Sequence, residues 1–330
     1  MRAIVICAGG GAGDVLLATP VMRALRQRYD EVVALTLPAH GDVLRNNPDL
    51  AEVWTDDDPR LAALIGRLRA GRFDASLVTW STARFAAAPF LAGIERRVGQ
   101  ARRLYSCMYT DRVTMRSELG DRATHWTEIL LDYARALGCD TQDRVPVVCV
   151  DAGARSEIAG ILRARGVSGA YGVLHPTRGV ALDGRPWPAH ALARLARAMQ
   201  ERLAMPVVIT GTQAERAIAE AIARDGGAVS LAGATTYPQL AALLEGAAVC
   251  VALDSGPMHV AAALGTPTVG IFALASDEPG RWAPRGPRTA IVGNTYPCPG
   301  WHRKENCPDF ACLGAIDVEG VLEKARALLG

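Results

Sequence analysis

Short apolar runs punctuate the start of the chain: "RAIVIC", "EVVALTL", "AEVWT" and "DASLVTW". Each is apolar without alternation, as strands buried on both faces are. Between them, "DVLLATPVMRALRQRY", "HGDVLRNN" and "RLAALIGRLRAG" carry apolar residues at helical spacing. "THWTEILLDYARALG" adds a strongly amphipathic helix. Alternation of this kind predicts a parallel sheet flanked by helices.

Around residues 140–170 the pattern loosens into turn formers and one extended run. A second series follows. "YGVLHPT", "MPVVITG", "AVSLAG", "AVCVAL" and "PTVGIF" read as strands, and "PAHALARLARAMQERL", "QAERAIAEAIARDG" and "TYPQLAALLEGA" as helices. The halves match in architecture and not in sequence. The expectation is two α/β, Rossmann-like domains with parallel sheets, 1–152 and 153–330, facing one another across an interdomain cleft. A terminal helix, 317–329, is expected to pack back on the first domain. Ligands of such sheets bind at the C-terminal ends of the strands.

Composition narrows the classes. Half of the 330 residues are hydrophobic and 21% are charged, which supports a large core and argues against disorder. A net charge of +2 gives no case for nucleic acid. Cys7, Cys139, Cys149 and Cys250 sit in or beside apolar runs and read as core thiols of a reducing compartment. No apolar stretch has the ~20 residues of a membrane span. The expected location is the cytoplasm, with peripheral contact to a membrane surface left open.

Two turns hold the candidate chemistry. The first, "AGGGAGD", follows the first strand. Taken as a dinucleotide fingerprint, it puts Asp14 where the third glycine belongs, and no acid closes the second strand. A carboxylate there would repel a pyrophosphate and suit a hydroxyl. Asp14 is therefore a candidate base, with a helix-capping aspartate as the other reading. The second turn is "LDSGPMH", where a buried strand breaks into Asp254, Ser255, Gly256 and Pro257. Pro257 suits the start of a helix, and the helix N-terminus offers N–H groups to an anion.

These stretches resemble glycosyltransferase family 9, the heptosyltransferases of lipopolysaccharide synthesis. The likeness rests on "GDVLLATPVMRALR", "NPDLAEV", "FDASLV…LAGIERRVG", "HWTEILLDYARALG", "VLHPT…RPWP" and "LDSGPMHVAAALGTPTVGIF…RWAPRG". It runs in order through nearly the whole chain and implies a GT-B fold. It also implies metal-independent, inverting transfer of heptose from an ADP-heptose donor to an acceptor hydroxyl. On this reading Asp14 is the base, and Thr177, Ser255, Gly256, Pro257 and Met258 hold the diphosphate. Asp254 and His259 match nucleotide-site residues, and Glu215 matches a position near the ribose. A buried structural histidine and a solvated helix acid are the plainer readings of the last two. The family has a second hydroxyl and a lysine where this chain has Arg178 and Arg185. Either arginine could neutralise the departing diphosphate, Arg185 being the stronger candidate. Gly13, Arg84 and Arg103, with the basic run "ERRVGQARR", are candidates for an acidic acceptor, against a plain solvated surface.

The tail "PCPGWHRKENCPDFACLG" places Cys298, His302, Cys307 and Cys312 at irregular spacing. A Cys3His metal site is conceivable there, but the expectation is no metal and no cofactor. The acceptor stays open among a glycan, a lipid-linked core, a protein and a small molecule. Two rival functions remain: a sugar-nucleotide epimerase on the same fold, and a non-catalytic nucleotide-sugar or glycan binder.

Overall fold

The structure, a computed structural model, describes residues 1–177, 188–274, 276–299 and 305–330. The chain forms two compact units, Met1–Cys149 and Val150–Gly330. The first holds strands β1 (Arg2–Ile6), β2 (Glu31–Thr36), β3 (Glu52–Thr55), β4 (Ala75–Val78), β5 (Arg96–Gln100) and β6 (Asp111–Val113). The second holds β7 (Gly172–His175), β8 (Val207–Ile209), β9 (Val229–Ser230), β10 (Val249–Leu253), β11 (Thr268–Phe272) and β12 (Thr289–Gly293).

Both sheets are wholly parallel and both have the same strand order. The first runs β3-β2-β1-β4-β5-β6 and the second β12-β11-β10-β7-β8-β9. Numbered within its unit, each is 3-2-1-4-5-6, the doubly wound nucleotide-binding order, which reverses between its first and fourth strands. In the first unit that switch lies between β1 and β4, in register from Ala3 opposite Ala75 to Ile6 opposite Val78. In the second it lies between β7 and β10, with His175 opposite Ala252.

The elements follow the pattern with instructive departures. The expected helix from residue 14 splits into Ala12–Leu17 and Thr19–Leu25. Pro20 has no N–H for the carbonyl of Leu16. The Thr19 hydroxyl donates to that carbonyl at 2.8 Å instead, and accepts from the Val147 N–H at 2.8 Å. "HGDVLRNN" becomes a 3₁₀ segment, Pro38–Leu44. The loosened stretch contains a regular helix, Ala152–Ala164, capped by Asp151 on the Ala154 N–H at 2.7 Å. The terminal helix, Val318–Leu329, contributes to the core of the second unit. Its Val321, Leu322 and Ala325 are fully buried in the core of the second, beside Leu192, Leu195 and Val269.

Candidate functional site

The second unit's switch point gathers most of the expected donor residues. His175 closes β7 and is buried among hydroxyls. Its Nδ1 lies 2.9 Å from the Thr210 hydroxyl, and its Nε2 lies 3.3 Å from the hydroxyl of Thr177. Burial holds the imidazole down at about 4, against a smaller opposing pull from Glu215, so it is neutral at neutral pH. Thr177 is itself buried and hydrogen-bonds Glu215. Glu215 closes the turn before helix Arg216–Gly226, and its carboxylate accepts the N–H and the hydroxyl of Thr212, both at 2.8 Å. Burial alone would raise this acid. The Thr212 and Thr177 hydrogen bonds and the nearby His175 outweigh it and leave it lowered. Glu215 is thus neither a solvated charge nor an isolated one.

β10 leaves the sheet beside β7 and turns at once into helix Gly256–Ala263. Ser255 is the N-cap, but its hydroxyl donates back to the Leu253 carbonyl at 2.8 Å and makes no cap bond to the helix. Gly256 is the first helical residue and Pro257 the second, one place later than the sequence suggests. Pro257 has no N–H there to satisfy. Asp254 is half-buried and its N–H donates to Ile271 at 3.2 Å. Met258 and His259 are both buried in the first turn. The helix presses close to β11: a Cβ on Gly270 would stand 2.6 Å from the Met258 sulfur.

The first unit's switch point is built differently. Asp14 is the third residue of helix Ala12–Leu17, and its Oδ2 accepts the Gly11 N–H at 2.8 Å. It is therefore not an N-cap residue. It reaches back over the helix start, occupying a donor that an anion would otherwise use. The glycines make room for it. Gly10 has φ +68°, and a Cβ there would meet the Asp14 carboxylate at 2.4 Å. A Cβ on Gly9 would lie 1.9 Å from the Trp80 indole. Asp14 lines a small recess with Cys7, Gly9, Thr79 and Trp80, closed by Trp126 and Leu130 of helix Trp126–Arg135. Burial pushes the Cys7 thiol up to about 12, so this sulfur is no nucleophile at neutral pH. Gly13 is half-buried at the second helical position.

The other acceptor candidates are already engaged. Arg84 grips both oxygens of Asp56, at 2.6 and 2.9 Å, and the Asp58 carbonyl at 2.7 Å. Arg103 pairs with Glu118 at 2.9 Å. The basic run around them is largely internal structure. Arg96 and Arg97 belong to β5, the first forked onto Asp111 of β6 and the second tied to the Met108 carbonyl at 2.7 Å. Arg178, Arg185 and His302 lie outside the described residues. Among the described residues no three His, Cys, Asp or Glu side chains are grouped to hold a metal. Cys307 and Cys312 are buried in the second unit's core, where the Cys307 sulfur accepts the Phe310 N–H at 3.3 Å. Cys298 is half-buried.

Residues 61–309 match the model of glycosyltransferase family 9 (heptosyltransferase), well over half of the chain. The chain belongs to that family. It is a glycosyltransferase, and the epimerase and binder readings fall away. Among curated relatives it is 27% identical over 282 residues to lipopolysaccharide heptosyltransferase 3 of Escherichia coli (strain K12), covering 79% of each chain. Two solved structures share the fold. One is the E. coli ADP-heptose lps heptosyltransferase II, with a TM-score of 0.80, 22% identity and coverage of 100% and 98% of the two chains. The other is the family 9 glycosyl transferase of Veillonella parvula DSM 2008, with a TM-score of 0.83, 19% identity and coverage of 99% and 97%. The two Rossmann-like units of this enzyme thus have the GT-B architecture.

The sequence missed the hydrogen-bonded partners behind the donor candidates, His175 and Thr210, and also Trp80. His175 was visible only as the end of a strand. Its neighbours Thr177 and Thr210 lie just past the ends of β7 and β8, and only the pairing of those strands brings the three together.

Proposed function

We propose that the enzyme transfers a heptose from ADP-heptose to an acceptor hydroxyl, with inversion and without a metal ion. The second unit, 153–330 in outline, takes the nucleotide sugar and the first takes the acceptor. The observation that carries the reading is the contrast at the two switch points. In the second unit, helix Gly256–Ala263 follows β10, the sheet neighbour of the β7 strand that leads to Thr177 and its partner Glu215, and the Ser255 hydroxyl is turned away from the helix. That leaves the helix N-terminus suited to phosphate oxygens. In the first, the helix that follows β1 has its start met by the Asp14 carboxylate.

The step follows. Asp14 takes the proton of the acceptor hydroxyl as its oxygen attacks the anomeric carbon. The bond from that carbon to the diphosphate oxygen breaks on the opposite face, and its electron pair leaves with ADP. Charge growing on the diphosphate is met by the first turn at Ser255 to Met258, by Thr177, and by Arg185 with Arg178. Glu215 and Asp254 address the nucleoside, and His259 braces the turn from beneath. Because these groups supply the compensation, no divalent cation is needed. The ADP-heptose donor also accords with the E. coli ADP-heptose lps heptosyltransferase II, which shares the fold. The acceptor is a lipopolysaccharide core glycan, as the curated relative's name suggests. The place of action is the cytoplasm; among the described residues no helix is long and apolar enough to cross a membrane.

Thermal shifts with ADP, UDP and GDP test the donor, since a ligand of the native state raises the melting temperature. ADP should give the largest shift, and equal shifts would defeat the assignment. Turnover should persist in EDTA. Loss of turnover that Mg2+ restores would overturn the metal-free step.

A further inference from the structure

The first unit's recess pairs one carboxylate with two indoles. Trp80 follows β4 and stands at the switch point beside the glycine turn. Its ring lies so close to Gly9 that no Cβ fits between them. The contact fixes the indole, yet 40% of Trp80 stays exposed. A fixed, part-exposed indole is a large apolar surface held at little entropic cost, as recognition anchors are. Trp126 enters the same recess from the start of its own helix.

The chemistry of the lining selects the occupant. Cys7, Gly9, Asp14, Thr79, Trp80 and Trp126 include a carboxylate and no cation. The Gly11 N–H, which could have met a phosphate, is taken by Asp14. Arg84 and Arg103 are held by Asp56 and Glu118. A phosphate or a nucleotide is therefore disfavoured here. The chemistry suits a sugar ring laid on the exposed indole: its C–H face is weakly positive and meets the negative face of the ring, while its hydroxyls meet a carboxylate.

We infer that Trp80 is the platform on which a pyranose of the acceptor glycan stacks, setting one of its hydroxyls against Asp14. Trp80 is thus a specificity residue for the acceptor and has no part in donor binding. The inference rests on the reading of Asp14 as the base acting on a glycan.

The test uses the full-length enzyme, ADP-heptose and a deacylated lipopolysaccharide core oligosaccharide. Trp80→Ala should raise the KM for the oligosaccharide by about tenfold or more, with kcat at saturation and the ADP-induced thermal shift within about twofold. Trp80→Phe should restore most of the loss. If Trp80 only props the glycine turn, Trp80→Ala instead lowers kcat and leaves KM alone, which overturns the inference. Binding is also read without turnover, by saturation-transfer NMR of the oligosaccharide on Asp14→Asn enzyme. Strong transfer that Trp80→Ala abolishes in this background supports the platform. No transfer, or transfer indifferent to Trp80, overturns it. A missing ADP shift in the wild type would fail the donor reading, whatever the NMR shows.

Discussion

After β1 the chain turns through three glycines and folds the Asp14 carboxylate over the helix it has just opened. After β10 it turns through Asp254 and Ser255, and the Ser255 hydroxyl points back to the strand. Both turns stand at the switch point of a sheet with one strand order, the first after its unit's first strand and the second after its unit's fourth. At the first the helix start is met by the turn's own acid, and at the second the N-cap hydroxyl makes no bond to the helix. Shared topology therefore does not fix how a helix start is satisfied: an acid at the third helical position takes the Gly11 N–H at the first turn. The strand ends differ too. Cys7 and His175 are both buried and neutral, one pushed up to about 12 and the other down to about 4.

The sharpest break of this contrast is Asp14→Asn. Asn keeps an oxygen that can accept the Gly11 N–H, so the turn survives while the base is lost. General-base catalysis is worth about 10²–10⁴-fold, so kcat should fall by at least about two decades, and the ADP-induced thermal shift should stay. Near-wild-type kcat on a true acceptor would reduce Asp14 to a capping residue.

Acid should separate the units next. Below about pH 6.5 the unfolded chain protonates His175, while the folded chain refuses the proton until about pH 4. Stability present at neutral pH is therefore lost as the pH falls through that window, by at most about 3 kcal/mol. Cys7 contributes nothing there. Calorimetry from pH 7 to 4.5 should show the second unit destabilised first, and His175→Gln should flatten the dependence. A profile identical in the variant would remove His175 from the account.

Two glycine substitutions compare rigid with yielding neighbours. In Gly9→Ala the new methyl meets the Trp80 indole at 1.9 Å, and in Gly270→Ala it meets the Met258 sulfur at 2.6 Å. An indole cannot step aside, and a thioether can. Gly9→Ala should cost about 2 kcal/mol and lower acceptor turnover. Gly270→Ala should cost less than that and show itself in ADP affinity. The reverse order, measured by urea denaturation, would contradict the packing given for the two turns.

Ser255→Ala is the smallest of these effects. It deletes the bond to the Leu253 carbonyl, worth about 1 kcal/mol, and should weaken ADP binding by roughly 3–10-fold with the acceptor KM unchanged. A variant that loses acceptor affinity instead would exchange the roles assigned to the units.

Much of this was legible in the residue pattern. The continuous apolar runs of β1, β2, β4, β7, β10 and β11 could only be strands buried on both faces, and the turns after β1 and β10 stood out by composition alone. Strands β5, β6 and β12 were not legible. β5 is "RRVGQ", whose arginines resemble surface until Asp111 and the Met108 carbonyl receive them. Helix Ala152–Ala164 was hidden because its buried stripe is thin, Ala154, Ile158 and Leu162.

The sequence by itself determined two parallel α/β units, the glycine turn with its acid, and the Asp-Ser-Gly-Pro-Met-His turn. Local propensity and burial period suffice for those, since each depends on residues within a few positions of one another. Tertiary structure alone decided that Thr210, His175, Thr177 and Glu215 form one hydrogen-bonded set, that Arg84 and Arg103 are engaged by acids, and that Trp80 lies against Gly9. Those contacts join different strands and loops. Parallel strands are hydrogen-bonded neighbours only through long crossovers, so strand order places their ends together and spacing along the chain does not reveal it.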